Sequence, residues 1–179
     1  MVRVLGRSLF FAVLLALSAP AQADPMLILK LMINIAEELA SRQPPPPVQA
    51  LVLPETYPGT TVEPSVLRRL IDDSFMYLSS SQRQEIFDSL NAELLKPENA
   101  AARGPMIEAF TRRALEIRAA QLKLADMSYS EKQQLASEFR KEAKALPVRD
   151  TARLRQALEK GLMPVPSDLG SLLLAALDD

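Results

Sequence analysis

From residue 64 onward, apolar residues recur at intervals of three and four, the spacing that aligns side chains along one face of an α-helix. Proline, glycine and serine residues separate successive stretches of this pattern, at positions where helices end or begin. Every segment after Pro64 has this helical period. The sequence therefore predicts an all-α fold, an irregular helical bundle of about six or seven helices, with a proline-rich extended segment after the first of them.

Capping residues and helix breakers set the predicted helix boundaries. Pro147 is expected to stop a helix that reaches about Leu146, and Gly161 to end the shorter helix that follows. The expected first or capping residues of five helices are, in chain order, Asp24, Ser79, Ser128, Asp150 and Ser167.

The longest predicted helix runs from about residue 104 to 126 and carries two apolar faces. A helix with two apolar faces is expected at a central position in a bundle. The first face consists of Ile107, Phe110, Ala114, Ile117 and Leu124, and the second of Leu115, Ala119 and Leu122.

The predicted helix over residues 25–42 has an apolar surface that covers most of its circumference. Its polar residues, among them Lys30, Asn34 and Glu37, fall on one narrow stripe. So large an apolar surface predicts that the helix docks, either into the core of its own domain or onto a partner or a membrane interface. Both alternatives are open at this level.

Apolar residues of these two helices are the candidates for binding a protein partner. They recur at helical spacing, so that a docked partner would meet them along one face. The same spacing is typical of ordinary core residues, which is the alternative interpretation. The candidates are Met32, Ile35 and Leu39 in the first helix and Phe110 and Ile117 in the long one.

Residues 44–63 form a proline-rich linker. Four consecutive prolines, residues 44–47, favour a polyproline II rod about 12 Å long at about 3.1 Å per residue. Three more prolines and Gly59 follow before Ser65. We therefore expect a stiff spacer between an N-terminal amphipathic helix over residues 24–43 and a helical domain over residues 64–179.

The first 23 residues have the parts of a secretory signal peptide. Arg3 and Arg7 make a basic start, residues 9–17 form an apolar run, and Ala21 and Ala23 supply small residues for a signal peptidase. The run is about half the length of the roughly 20 apolar residues that cross a bilayer. We expect cleavage near Ala23, a periplasmic or secreted protein, and no stable transmembrane anchor afterwards. A cysteine-free exported helical domain fits a bacterial periplasm better than an animal extracellular fluid.

The chain contains neither cysteine nor histidine, which excludes several kinds of site. Ser-His-Asp and Cys-His nucleophile systems, thiolate or imidazole zinc sites and His-ligated haem all need one of these residues. Asp72 and Asp73 are adjacent, so on a helix they point about 100° apart and do not face one point. We predict no catalytic residue, no cofactor and no metal site.

The charge distribution indicates which class of partner the chain can bind. Without residues 1–23 the chain has 19 basic and 22 acidic residues, a net charge of −3. Its most basic stretch, residues 103–144, is interleaved with acidic residues, as is typical of a solvated helix surface. We expect a protein partner or an unfolded client, and no nucleic acid.

Two segments of the chain, residues 78–86 and 127–135, are similar to each other. In each, an apolar residue precedes Ser79 or Ser128, and Gln82 or Glu131 follows three residues later. Helix-start chemistry explains this pattern locally, as a hydrophobic staple and a capping box. The pair also resembles the repeated Leu-Thr-x-x-Gln motif of the Spy and CpxP family of periplasmic envelope-stress proteins, with Ser in place of Thr in both copies. That resemblance implies a small exported all-α protein and, by analogy with Spy, a surface that shields unfolded clients.

Three functions are compatible with these features. The one we favour is an exported, non-enzymatic binding protein, a holdase-like chaperone or adaptor that uses apolar helix faces. The first alternative is a structural subunit of an envelope assembly or secretion complex that docks through its N-terminal helix. The second alternative is a carboxylate-based, glycan-acting enzyme.

Overall fold

The computed structural model describes residues 25–41 and 52–178, and all regular structure in these ranges is helical. Seven α-helices confirm the prediction of an all-α fold with six or seven helices. A 3₁₀ turn, Pro97–Asn99, precedes the longest of them. The helices are α1 (Pro25–Ser41), α2 (Pro64–Ser74), α3 (Ser80–Leu94), α4 (Arg103–Asp126), α5 (Tyr129–Ala143), α6 (Val148–Glu159) and α7 (Ser167–Asp178).

Several predicted features lie outside the described residues. These are the signal peptide, the Asp24 cap and the four consecutive prolines. Of the proline-rich segment, residues 52–63 are described, and they form turns and irregular chain. α1 begins at Pro25, where the missing N–H costs no helical hydrogen bond.

The described chain divides into two compact units. One contains residues 52–118, and the other contains residues 25–41 and 119–178. The sequence predicts one helical domain over residues 64–179, whereas the division falls inside α4, after Arg118. Neither a turn nor a change of composition marks this position, so the sequence alone does not indicate it.

In the first unit, α2 packs on α3, and polar contacts fix the turn that precedes α2. Tyr57 is fully buried and donates a 2.6 Å hydrogen bond from its hydroxyl to Asn91 Oδ1. Arg103 donates at 2.5 Å from Nε to the carbonyl of Leu94 and from Nη1 to that of Pro58. Residues 52–63 are therefore attached to α3 and to the start of α4. The apolar core includes Leu67, Ile71, Phe75, Ile86, Leu90, Phe110 and Ile117.

In the second unit, α1 packs on α5 and α6, and α7 packs on the same two helices. Leu29, Met32 and Ala36 of α1 are fully buried. Lys30, on the exposed side of α1, forms a 3.1 Å ion pair with Glu142 of α5. Of the two alternatives for the first helix, the structure shows docking within its own unit.

Both predicted capping boxes are present. Ser79 Oγ accepts a hydrogen bond from the backbone N–H of Gln82, whose Oε1 accepts one from the N–H of Ser79. Ser128 and Glu131 make the same reciprocal pair of bonds at the start of α5. The two similar segments thus begin two helices by the same local chemistry.

The boundary between α5 and α6 differs from the prediction. α5 ends at Ala143, three residues before the predicted end at about Leu146, because the chain tightens there into i→i+3 hydrogen bonds, from the N–H of Ala145 to the carbonyl of Glu142 and from the N–H of Leu146 to that of Ala143. α6 begins at Val148 with Pro147 as its N-cap, so the prediction that Asp150 is the cap is wrong. Asp150 lies in the first turn instead, where its carboxylate is favoured by the helix dipole.

The end of α6 agrees with the prediction. Gly161 has a φ of 62°, a left-handed angle that favours glycine. Its N–H donates to the carbonyl of Leu158, and the N–H of Leu162 donates to the carbonyl of Ala157. These two bonds make a Schellman motif, which turns the chain away from the helix.

Only one of the two apolar faces of α4 is buried. Phe110, Ala114 and Ile117 lie in the core, whereas Leu115 is 50% exposed and Leu122 is 46% exposed. The expectation that both faces are covered is therefore wrong. The second face also carries charged residues, and these retain their hydration only when that face meets solvent.

Candidate functional site

The predicted partner-binding residues are buried wherever their side chains are described. Met32 and Ile35 share the covered face of α1 in the second unit, and Phe110 and Ile117 share the covered face of α4 in the first. The side chain of Leu39 lies outside the described part of the structure. That these residues bind a partner stays a prediction, since in this conformation the four described ones form cores.

The exposed apolar residues of α4 form the surface best suited to hold another protein chain. Arg112, Leu115, Arg118, Ala119 and Leu122 are all exposed, and together we call them the outer face of α4. Positions 115, 119 and 122 follow the i, i+4, i+7 spacing of one helix face, so they form a stripe about 10 Å long. All five residues belong to one continuous helix, whose opposite face is anchored by buried side chains.

Two arginines add positive charge to this stripe. Arg112 lies three residues before Leu115, and Arg118 lies three residues after it. Within the described ranges, neither arginine forms an ion pair with another residue. A guanidinium group presents five N–H donors that match carboxylates. The outer face of α4 can therefore contact apolar groups and bind acidic side chains next to them.

The helical spacing alone predicts a buried face for this stripe, although the neighbouring charges indicate its exposure. Arg118 lies directly before Ala119 and within one turn of both Leu115 and Leu122. A long cationic side chain inside an apolar stripe indicates a face at the solvent boundary, because the charged end needs water or an anion. Helical spacing alone indicates that residues share a face of the helix. The charged residues on that face indicate whether other parts of the protein cover it.

An aspartate between two arginines joins α2 to α3. Asp72 accepts hydrogen bonds from Arg68 Nε at 3.1 Å and from Arg83 Nε at 2.9 Å. The guanidinium carbon of Arg68 also lies 5.3 Å from the ring centroid of Phe87, a cation–π contact. This network gives Asp72 a structural role between the two helices.

Two further polar groups serve the cores. Lys132 of α5 is buried, and its Nζ lies 2.8 Å from Asp168 Oδ2 of α7. The lysine ammonium holds the pKa of Asp168 below its usual range. In the first unit, burial raises the pKa of Tyr57 to about 12. Each of these groups connects an element to its neighbour through a hydrogen bond.

The comparisons with known proteins found no relative of this chain. No protein-family model, curated protein or solved structure matches the chain. Within residues 25–41 and 52–178, the acidic side chains make no group of three that could hold a metal ion. In the same ranges, every helix is too short or too polar to cross a membrane.

Proposed function

We propose that this chain is an exported, non-enzymatic binding protein that holds a protein client or partner on the outer face of α4. The observation that carries the proposal is the exposed stripe of Leu115, Ala119 and Leu122 beside Arg112 and Arg118. Apolar side chains in an exposed stripe supply contact area to an unfolded chain, and the two cations favour segments that carry acidic residues.

The size of the stripe favours weak and reversible binding. Burying a leucine side chain completely contributes about 1.5–3 kcal/mol, and both leucines here are already half covered. Two such residues supply on the order of 2 kcal/mol, so several copies of the protein on one client, or additional polar contacts, are needed for strong binding. Weak binding that releases its client without an energy source is what a holdase requires.

The resemblance to the Spy and CpxP family supports the same proposal. Its members are small exported all-α proteins, and Spy shields unfolded clients on its surface. Spy-like chaperones attract clients with a basic surface, whereas this chain without residues 1–23 has a net charge of −3 and offers two arginines on the outer face of α4. Both similar segments of this chain form complete capping boxes. Helix-start chemistry therefore also explains why the two segments are similar. The proposal therefore rests on the α4 surface and takes the motif as secondary support.

Suppression of aggregation tests the proposed function. Insulin whose disulfides are reduced by dithiothreitol aggregates and scatters light, and this chain has no cysteine that the reductant could affect. We expect the wild-type protein to suppress the scattering. Leu115→Ser with Leu122→Ser should need about 30-fold more protein for the same effect, because the client loses apolar contacts on the order of 2 kcal/mol.

The matched control removes exposed apolar residues elsewhere. Val52→Ser with Val66→Ser changes two exposed valines outside α4 and should suppress aggregation as the wild type does. Arg112→Gln with Arg118→Gln tests the charge contribution while keeping the apolar stripe. If the wild-type protein does not suppress aggregation, the holding function is wrong; if the two double variants of leucine and valine behave alike, the assignment to α4 is wrong.

A further inference from the structure

The turn between α5 and α6 presents apolar side chains to solvent among basic residues. Leu146 is 43% exposed and Val148 is 88% exposed, and Pro147 between them is exposed as well. Two exposed basic residues precede the turn and two follow it. We call this set the α5–α6 tip: Lys141, Lys144, Leu146, Val148, Arg149 and Arg153.

The tip is positively charged in a chain that is acidic as a whole. Residues 140–153 contain five basic and two acidic side chains, a net charge of +3, whereas the whole chain has a net charge of −1. One of the two acidic residues, Glu142, is paired with Lys30 at 3.1 Å. Among the described residues, the four basic side chains of the tip have no ion-pair partner. Their charge is available to an anion outside the chain.

The basic residues lie close to the apolar pair. Lys144 precedes Leu146 by two residues, and Arg149 directly follows Val148. Lys141 and Arg153 lie about one helical turn, roughly 5 Å, farther along α5 and α6. When Leu146 and Val148 enter an apolar layer, Lys144 and Arg149 therefore remain next to its surface, where lipid phosphates lie, and the other two cations follow one turn farther away.

We propose that the α5–α6 tip binds a membrane surface rich in anionic phospholipid, with Leu146 and Val148 inserted and the four basic residues on phosphate groups. Apolar insertion and a polybasic patch are the two signals that together give reversible membrane association. Two exposed apolar side chains on a turn fit a deformable interface, whereas a protein partner must offer a matching pocket to cover them. The occupant is a bilayer surface because its charge is opposite to that of the tip and its interface accepts side chains without a preformed shape.

A tryptophan placed in the tip reports insertion directly. The chain has no tryptophan, so Val148→Trp introduces a single fluorophore at the most exposed position of the tip. The variant is expressed as the full chain and then purified. We expect its tryptophan emission to shift to the blue with phosphatidylglycerol vesicles and to remain unchanged with phosphatidylcholine vesicles. Lys160→Trp, at the opposite end of α6, should show no shift with either.

Charge variants in the Val148→Trp background measure how much the basic residues contribute to vesicle binding. Each basic residue near an anionic surface strengthens binding about fivefold, so Lys144→Gln with Arg149→Gln should weaken vesicle binding about 25-fold. Arg69→Gln with Lys160→Gln removes two exposed charges elsewhere and should leave binding unchanged. Thermal unfolding monitored by circular dichroism verifies that all variants fold.

Either of two fluorescence results, or one result with the charge variants, would overturn the proposal. One is an emission that does not change with phosphatidylglycerol vesicles although the variant is folded. The other is a shift with soluble polyglutamate but not with vesicles, which would assign the tip to an acidic polypeptide instead. Equal weakening by the two pairs of charge substitutions would also contradict the assignment, because it would reflect net charge and not the tip.

Discussion

The Tyr57 hydroxyl and the Asn91 amide form a buried polar contact between a turn and a helix. Replacing Tyr57 with Phe leaves Asn91 Oδ1 buried without a donor, and a buried unsatisfied polar group costs about 1–3 kcal/mol. We expect Tyr57→Phe to lower the free energy of unfolding by about that amount in urea denaturation. Tyr129→Phe is the control, since Tyr129 is exposed and its substitution should change stability by less than about 0.5 kcal/mol.

The same tyrosine makes the stability of the protein decrease at alkaline pH. Burial raises its pKa from 10.0 to about 12, so the unfolded chain loses this proton more readily than the folded one. The stability that Tyr57 contributes is complete below pH 10 and decreases as the pH rises from 10 through 12. The difference in stability between the wild type and Tyr57→Phe should therefore shrink over that interval. A difference that is constant or grows from pH 9 to pH 12 would contradict this assignment.

The two capping boxes differ in one titratable group. Ser128 hydrogen bonds hold the pKa of Glu131 below its ordinary value of 4.5, whereas the corresponding Gln82 does not titrate. The contribution of Glu131 is present above that pH and is lost as the pH falls. We expect Glu131→Gln to be less stable than the wild type at pH 7 and nearly equal to it at pH 3, as measured by urea denaturation at both values. Gln82→Glu should show the converse, an added stability at pH 7 that disappears at pH 3.

The docking of α1 predicts a large cost for a core substitution in it. Met32 is fully buried within the second unit, and truncation of a buried methionine to alanine costs about 2–5 kcal/mol. Met32→Ala should therefore destabilise the protein by that amount, whereas Asn34→Ala, on the exposed side of the same helix, should change stability by less than about 0.5 kcal/mol. Both effects are measured by urea denaturation. If they are equal, the result would favour the alternative in which α1 docks on an external partner.

The elements differ in how far the sequence could predict them. Helix starts and ends at Ser79, Ser128 and Gly161 depend on hydrogen bonds within a few residues, so local patterns predict them correctly. The contact of Tyr57 with Asn91 joins residues 34 positions apart and leaves no local pattern. Whether Leu115 is covered depends on what packs against α4, which periodicity does not report. Periodicity therefore places the candidate site on buried residues such as Met32 and does not predict the exposed stripe.

The second unit is discontinuous in sequence. α1 lies at the start of the described chain, whereas its packing partners α5 and α6 follow the whole of the first unit. Closing so long a loop is slow in folding, because the entropy of the intervening chain must be overcome before the contacts form. The apolar residues of α1 therefore stay uncovered until residues 129–159 have been synthesised and, if the chain is exported, translocated.

Export itself can be tested on the residues that precede α1. A signal peptidase requires small side chains at Ala21 and Ala23, so we expect the protein recovered after expression of the full chain in a bacterial host to have the mass of residues 24–179. Ala23→Leu places a large side chain at the cleavage position and should leave the 23 residues attached and the protein in the membrane fraction. Gln22→Leu, where the peptidase tolerates large side chains, should be processed as the wild type is. A wild-type protein that retains its first 23 residues in the membrane fraction would instead favour an uncleaved anchor, and α1 would then begin at the membrane surface.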